Sequence, residues 1–290
     1  MALRSCVSNA DAQYCRDITK REAKNFYWGF IALPKEQRLA IYALYGFARQ
    51  VDDAVDLPPA QAAVNGTGAD PFHSHRGRLD DCFAGRGDDP IIRVLSQVVR
   101  DYGIPREDLE ALVTGVEMDL SNKRYEAWDD LRVYCWHVAG AVGRMCVRVF
   151  GYTDPTALDF AADLGIAMQL ANILRDVRDD VELGRIYLPK DDLQQFGVTE
   201  HGLQTGDPGA GWEGLIHHEI ERASTLFASG LRVTRAVPRR ASACVLTMAG
   251  IYQAIIEEIE RDPYLPLKRR ASLDSKQKLS VMLKSWLQAV

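Results

Sequence analysis

Oxygen-bearing side chains recur every four residues at two places in this chain. Asp52 and Asp56 form the first set, within Arg49-Gln50-Val51-Asp52-Asp53-Ala54-Val55-Asp56. Asn172, Asp176 and Asp180 form the second, within Asn172-Ile173-Leu174-Arg175-Asp176-Val177-Arg178-Asp179-Asp180. On a helix this spacing stacks the side chains along one face. Like charges so placed repel, so two such sets call for a compensating cation. Every donor is an oxygen, which suits a hard divalent ion, and Mg²⁺ commonly bridges carboxylates to phosphate. A single acidic pair at this spacing is ordinarily a solvated face. The flanks argue against that here. Leu39 to Ala48 is almost wholly apolar, and so is Leu164 to Ala171. Both sets therefore stand at one end of helices that read as buried, where carboxylates are unstable without a cation.

Cations accompany the acids. Arg49 precedes Asp52 by three, and Arg175 precedes Asp176 directly. Lys24 lies near the start of the chain and Lys268-Arg269-Arg270 near its end. Guanidinium and ammonium groups would clamp phosphate oxygens beside a metal. Neutralisation of neighbouring Asp residues explains Arg49 and Arg175 equally well, and Lys268-Arg269-Arg270 taken alone is a solvated charge run. The apolar surface behind the acids continues the pattern. Ile41, Tyr45 and Ala48 share the Asp52 face, and Gly165, Met168 and Gln169 share the face of Asn172 and Asp176. Val138-Ala139-Gly140-Ala141-Val142-Gly143 is a run of small residues on a third helix. For Gly140 and Gly143, close helix packing is the plainer role; beside two metal-binding mouths the run also suits an apolar tunnel. Metal, diphosphate and a dry cavity together point to an ionisation that produces a carbocation. The faces of Tyr45 and Tyr252 would stabilise one through their quadrupole, although core packing accounts for each ring separately.

The elements that must position these residues are helices. Period-2 alternation is scarce, and most of the chain follows a period near 3.6. Pro34 suits the first position of a helix running to about Asp56, and Pro90, Pro105, Pro155 and Pro238 can start others. Residues 57–76 and 203–211 read as loops. Neither divides the chain, so residues 1–290 are expected to form one all-α domain. Apolar content of 47% supplies a sizeable core, and a net charge of −5 gives no case for nucleic acid. The six cysteines show no CxxC pair or zinc spacing and read as reduced thiols. Met1 to Lys24 lacks an apolar export core, and no window reaches 18 apolar residues, the least a membrane span needs. A cytoplasmic protein is expected. An amphipathic C-terminal helix (Leu279, Met282, Leu283, Trp286) offers peripheral contact at the inner membrane face, with core packing its other account.

With these residues in view, the chain resembles the squalene/phytoene synthase family of head-to-head trans-isoprenyl diphosphate synthases, from about residue 12 to 285. Tyr42 to Asp56 is similar to the family's first Asp-rich motif, and Tyr134 to Gly143 to its small-residue segment. Gln169 to Asp180, followed by Gly184-Arg185-Ile186-Tyr187-Leu188-Pro189, is similar to its second motif. The resemblance implies an all-α isoprenoid-synthase bundle around a central cavity. It also implies condensation of two prenyl diphosphates assisted by two or three Mg²⁺ ions. Asp52, Asp56, Asn172, Asp176 and Asp180 match metal ligands. Lys24, Arg49, Arg175 and Arg269 match diphosphate contacts. Tyr45, Gln169, Tyr187 and Tyr252 match residues of the reaction chamber, with Tyr45, Arg49, Tyr187 and Tyr252 in catalytic roles and Phe26, Ile41, Val138, Ala139 and Gly140 along the cavity. The chain departs at Ala23-Lys24-Asn25-Phe26, where many members carry Ser-x-Ser-Phe. Lys24 is kept, and the Asn25 amide stands where hydroxyls would contact diphosphate.

Within the family, the segments around Lys24 and from Met248 to Pro263 look most like bacterial presqualene diphosphate synthases of hopanoid pathways. That implies farnesyl diphosphate as substrate and no NADPH, since no G-x-G-x-x-G fingerprint is present. The alternative is phytoene or dehydrosqualene synthesis. An alternative of another class is a non-catalytic helical scaffold. Diphosphate release with Mg²⁺ and farnesyl diphosphate separates the two classes. The sequence sets no oligomeric state.

Overall fold

Capping chemistry and proline placement set the helix boundaries in the computed structural model, which describes residues 7–23, 26–56, 71–120 and 124–289. The helices are α1 (Asn9–Glu22), α2 (Phe26–Phe30), α3 (Lys35–Asp56), α4 (Pro71–Ala84), α5 (Pro90–Tyr102), α6 (Arg106–Leu120), α7 (Trp128–Cys135) and α8 (Ala141–Phe150). They continue with α9 (Ala157–Arg175), α10 (Val177–Glu182), α11 (Lys190–Gln195), α12 (Glu200–Thr205), α13 (Trp212–Gly230), α14 (Arg239–Arg261), α15 (Leu265–Lys268) and α16 (Ser275–Gln288). No strand occurs among the described residues, as expected of an all-α chain. The start of α5 shows the local logic. The Asp89 carboxylate accepts from the Ile91 and Ile92 N–H groups at 2.7 and 3.2 Å, Pro90 takes the first turn, and Gly103 ends the helix with φ 60°. Pro34, Pro105 and Pro238 likewise stand just before α3, α6 and α14.

Two loop boundaries differ from the sequence expectation. The stretch expected as a loop over 57–76 is helical from Pro71, because proline is well placed in a first turn. The stretch expected over 203–211 is helical to Thr205, because the Thr199 hydroxyl caps Gly202 at 3.0 Å and Gly206 terminates the turn with φ 76°. Residues 57–70 lie outside the described residues.

One contiguous apolar core joins α1 through α14. α9 and α14 form its middle, and α13 lies alongside α9. Neither α9 nor α14 holds 18 uninterrupted apolar residues, yet both are long and apolar enough on average to cross a membrane by length and composition. In each, 67% of the apolar window is buried inside the protein, so the fold itself covers these faces.

Candidate active site

Between α2, α3, α8, α9 and α14 lies a cavity of about 280 Å³. Ile41 and Tyr45 of α3 line it, with Val138 and Ala139 opposite and Gly165 and Met168 of α9. Its polar groups are Asp52 on α3 and Gln169 and Asn172 on α9. Residues 136–140 wind as a π-helix, the Ala141 N–H donating to the Trp136 carbonyl. Such an insertion commonly marks a functional site.

The small-residue run both packs and lines. A Cβ on Gly165 would strike the Ala139 carbonyl, and one on Gly143 the Ala161 carbonyl, so glycine permits the close crossing. Gly143 also borders the cavity, whereas Gly140 does not. Gly140 is buried where α9 crosses, next to Gly165 and the Trp136 ring, the close packing that its size also allowed.

Asn172, Asp176 and Asp180 keep their four-residue register across a break. α9 ends at Arg175, yet Asp176 N–H donates to the Asn172 carbonyl and Asp180 N–H to the Asp176 carbonyl, both at 2.9 Å. Asn172 Nδ2 donates to Gln169 Oε1 at 3.2 Å. Asn172 Oδ1 is buried and accepts no hydrogen bond from the chain. Two guanidinium forks meet on Asp176: Arg175 at 2.7 and 2.5 Å, and Arg270 at 2.8 and 2.9 Å. Burial, with Asp176 and Asp119 nearby, pushes the Asp180 carboxyl up to about 7, against the opposing pull of Arg185. Cation and anion donors thus alternate within one small volume.

Other expected residues divide around this centre. Arg49 pairs with Asp53 at 2.5 Å, the internal neutralisation that its position also allowed. Tyr45 borders the cavity, and burial pushes its phenol up to about 12. Tyr252 does not border it. Phe26 lies 5.8 Å from that ring and takes the lining position, leaving Tyr252 buried beside Arg175. Nor does Tyr187, which stacks on Tyr134 at 5.2 Å. Both rings stand beside the polar end of the cavity, Tyr252 against Arg175 and Tyr187 against Asp119. Arg269 donates to Glu258 at 3.0 Å, and its neighbour Arg270 is the one that reaches Asp176. Lys24 and Asn25 lie outside the described residues, as does the side chain of Asp56.

Asp119 is a residue that the sequence reading passed over. Its two oxygens accept from the Tyr187 hydroxyl at 2.8 Å and the Tyr134 hydroxyl at 3.1 Å. Desolvation drives both phenols upward, with Asp119 adding to the effect. The available signal was Glu117-Met118-Asp119-Leu120, two acids in the last turn of a helix whose preceding turns are mostly apolar. Without the fold it has no visible partner.

The donor set fits a hard divalent ion. Asn172 offers a buried, unused carbonyl oxygen, and Asp52, Asp176 and Asp180 add carboxylates. Among the described residues no three His, Cys, Asp or Glu side chains converge tightly enough to form a metal cluster by themselves. An ion held here would therefore draw on Asn172, and its remaining coordination would come from water or phosphate, as Mg²⁺ commonly allows.

Comparisons with known proteins bear on the family and the fold of this chain. The family model "Squalene/phytoene synthase" matches residues 19–277. The 15-cis-phytoene synthase of Synechocystis sp. is 36% identical, over 98% of this chain and 87% of that protein. The phytoene synthase of Mycobacterium tuberculosis is 35% identical, over 91% and 86%. Among solved structures, a dehydrosqualene synthase in complex with ligand superposes with a TM-score of 0.86 at 29% identity, over 97% of this chain and 98% of that one. Squalene synthase HpnC from Alicyclobacillus acidocaldarius gives 0.79 at 29%, over 89% and 95%.

Proposed function

This chain belongs to the squalene/phytoene synthase family, and on that premise we propose that it joins two prenyl diphosphates head to head, ionising one at the polar end of its cavity. The observation that carries the reading is the pairing of Asp52 from α3 with Asn172 from α9 on one apolar cavity. Bound Mg²⁺ supplies charge neutralisation of the departing diphosphate. Asp52, Asp56, Asn172, Asp176 and Asp180 are the oxygen donors for it. Arg175 and Arg270, gathered beside Asp176, are placed to share phosphate oxygens, with Lys24, Asn25, Arg49 and Arg269 as further contacts. In the proposed step the C1–O bond of one substrate breaks and its electron pair leaves with diphosphate. The double bond of the second substrate attacks that C1, and loss of a proton closes a cyclopropane. The apolar walls keep water from the cation. Tyr45, with a phenol that stays protonated and neutral, presents its ring to the chamber.

Two end points follow from different observations. The matched phytoene synthases support a second ionisation and rearrangement to a hydrocarbon. The Ala23-Lys24-Asn25-Phe26 segment, lacking hydroxyls, supports release of the cyclopropyl diphosphate, presqualene diphosphate when the substrate is farnesyl diphosphate. The test supplies farnesyl and geranylgeranyl diphosphates separately with Mg²⁺, then measures diphosphate release and the mass of the extracted lipid. One diphosphate per two substrates marks the cyclopropyl product; two, with a C30 or C40 hydrocarbon, marks the rearranged one. Absence of diphosphate release from either substrate overturns the reading and leaves a helical scaffold.

A further inference from the structure

Beyond the cavity, the structure carries an apolar surface framed by positive charge. Leu279, Leu283, Trp286 and Leu287 of α16 are 42, 53, 42 and 79% exposed, on one face of the helix. The opposite face holds Met282 and Ser285, both buried, and Val281 next to Gly250 of α14. α16 is therefore fastened inward and presents its leucine face outward. The asymmetry is not end-fraying: a capping box between Asp274 and Gln277 fixes its first turn, with both bonds at 2.8 Å. Arg239 donates to the Ala289 carbonyl at 2.6 Å at its far end. Beside it, a groove of about 480 Å³ runs between Trp286 and Ile31, with Arg239 and Arg240 on its border.

The lining of the groove is cationic: it carries Lys35, Arg38, Arg239 and Arg240 and no acid. The chain carries a net −5, yet Arg239 and Arg240 open α14 at the groove, while the acids of that helix, Glu257, Glu258 and Glu260, stand at its other end. Residues 275–290 contain three lysines and no acid. Leucine and tryptophan within a cationic frame fit an anionic lipid headgroup region, where tryptophan sits at the polar–apolar boundary and each basic residue adds attraction. A second copy of the chain fits poorly, because a self-complementary contact would set these cations against one another.

The surface also backs the cavity. Phe26 and Phe30 of α2 line the cavity, and Ile31, the next residue, lines the groove. Val245 and Met248 of α14 face the cavity, and Ala243 of the same helix faces the groove. We propose that the outer face of α16, with Ile31 and the Arg239–Arg240 corner, docks this protein on an anionic membrane surface, against the wall behind which the cavity lies. The docking stands on the surface itself and does not depend on the reaction proposed above.

The test is flotation of the full chain with vesicles of phosphatidylcholine, with and without phosphatidylglycerol, at low and high salt. The chain should co-float with the anionic vesicles and release as salt rises. Arg240→Gln with Lys284→Gln should weaken binding about thirty-fold. Leu283→Ser with Leu287→Ser should weaken it at least about ten-fold. Both double variants should keep the circular dichroism spectrum and the detergent-solution turnover of the parent, so that a loss of docking is separable from a loss of fold or of the proposed reaction. Failure of the parent to float with anionic vesicles overturns the proposal, as does unchanged binding of both variants. A dimer that Leu283→Ser with Leu287→Ser dissociates also overturns it, assigning the face to a second copy instead.

Discussion

Replacing Glu219 by Gln should remove a large part of this fold's sensitivity to pH near neutrality. Glu219 lies on α13, the helix along α9, and is fully buried. Arg222 donates to its Oε1 at 2.6 Å and to Asp192 at 2.9 Å, while Glu219 Oε2 has no hydrogen-bond partner. Burial outweighs the pull of Arg222 and pushes the carboxyl from 4.5 to about 7. The folded state therefore holds a proton that the unfolded chain releases. Below 4.5 both states are protonated and the contribution is complete. It declines as pH rises and is gone once pH passes the folded value near 7. The shift corresponds to about 3 kcal/mol, a substantial share of an ordinary folding free energy of about 5–15 kcal/mol. Gln keeps the shape and the acceptor for Arg222 but cannot titrate. Urea unfolding of both proteins at pH 5 and pH 8 gives the double difference, expected at about 2.5 kcal/mol because part of the effect is already lost at pH 5, or about 0.8 M in midpoint for a slope near 3 kcal/mol/M. Asp180, also raised to about 7, contributes equally to both proteins and cancels. The same pH dependence in parent and variant would show that Glu219 is already ionised in the fold and would refute the argument.

Asp52→Ala and Asp176→Ala should each lower Mg²⁺-dependent turnover at least about 100-fold, since aligned groups at a developing charge carry effects of that order. Near-parental activity in both would sink the ligand assignment, with circular dichroism confirming the fold. Gly165→Ala should destabilise by about 1–3 kcal/mol, because its new methyl meets the Ala139 carbonyl; an unchanged melting temperature would contradict that contact. Tyr187→Phe deletes the hydroxyl that donates to Asp119 at 2.8 Å and should cost about 1 kcal/mol in urea unfolding. A stability equal to the parent would mean that water replaces the hydroxyl without loss.

The helical class and the helical placement of the two oxygen-bearing sets were legible in the sequence, because both depend on local periodicity. Four-residue spacing survives even the break at Asp176, where α9 gives way to α10, since the backbone bonds continue in register. Helix starts at Pro34, Pro90, Pro105 and Pro238 were legible for the same reason: ring and cap act on the adjoining turn. Pro71 starts a helix inside a stretch whose composition suggests a loop, and the helix capped by Thr199 runs on to Thr205, into another such stretch, because a well-placed helix start outweighs residue type. What the sequence left undetermined is every relation between residues distant along the chain. Whether the small-residue run packs or lines depended on where α9 crosses it, and the answer differs between Gly140 and Gly143. Asp119 acquires a role only once the fold brings it Tyr134 and Tyr187, 15 and 68 residues away. Arg270 rather than Arg269 reaches Asp176 across 94 residues, a choice that adjacent arginines of identical chemistry cannot reveal. Periodicity fixes which side chains share a face of one helix; which faces meet follows from packing the whole apolar surface at once.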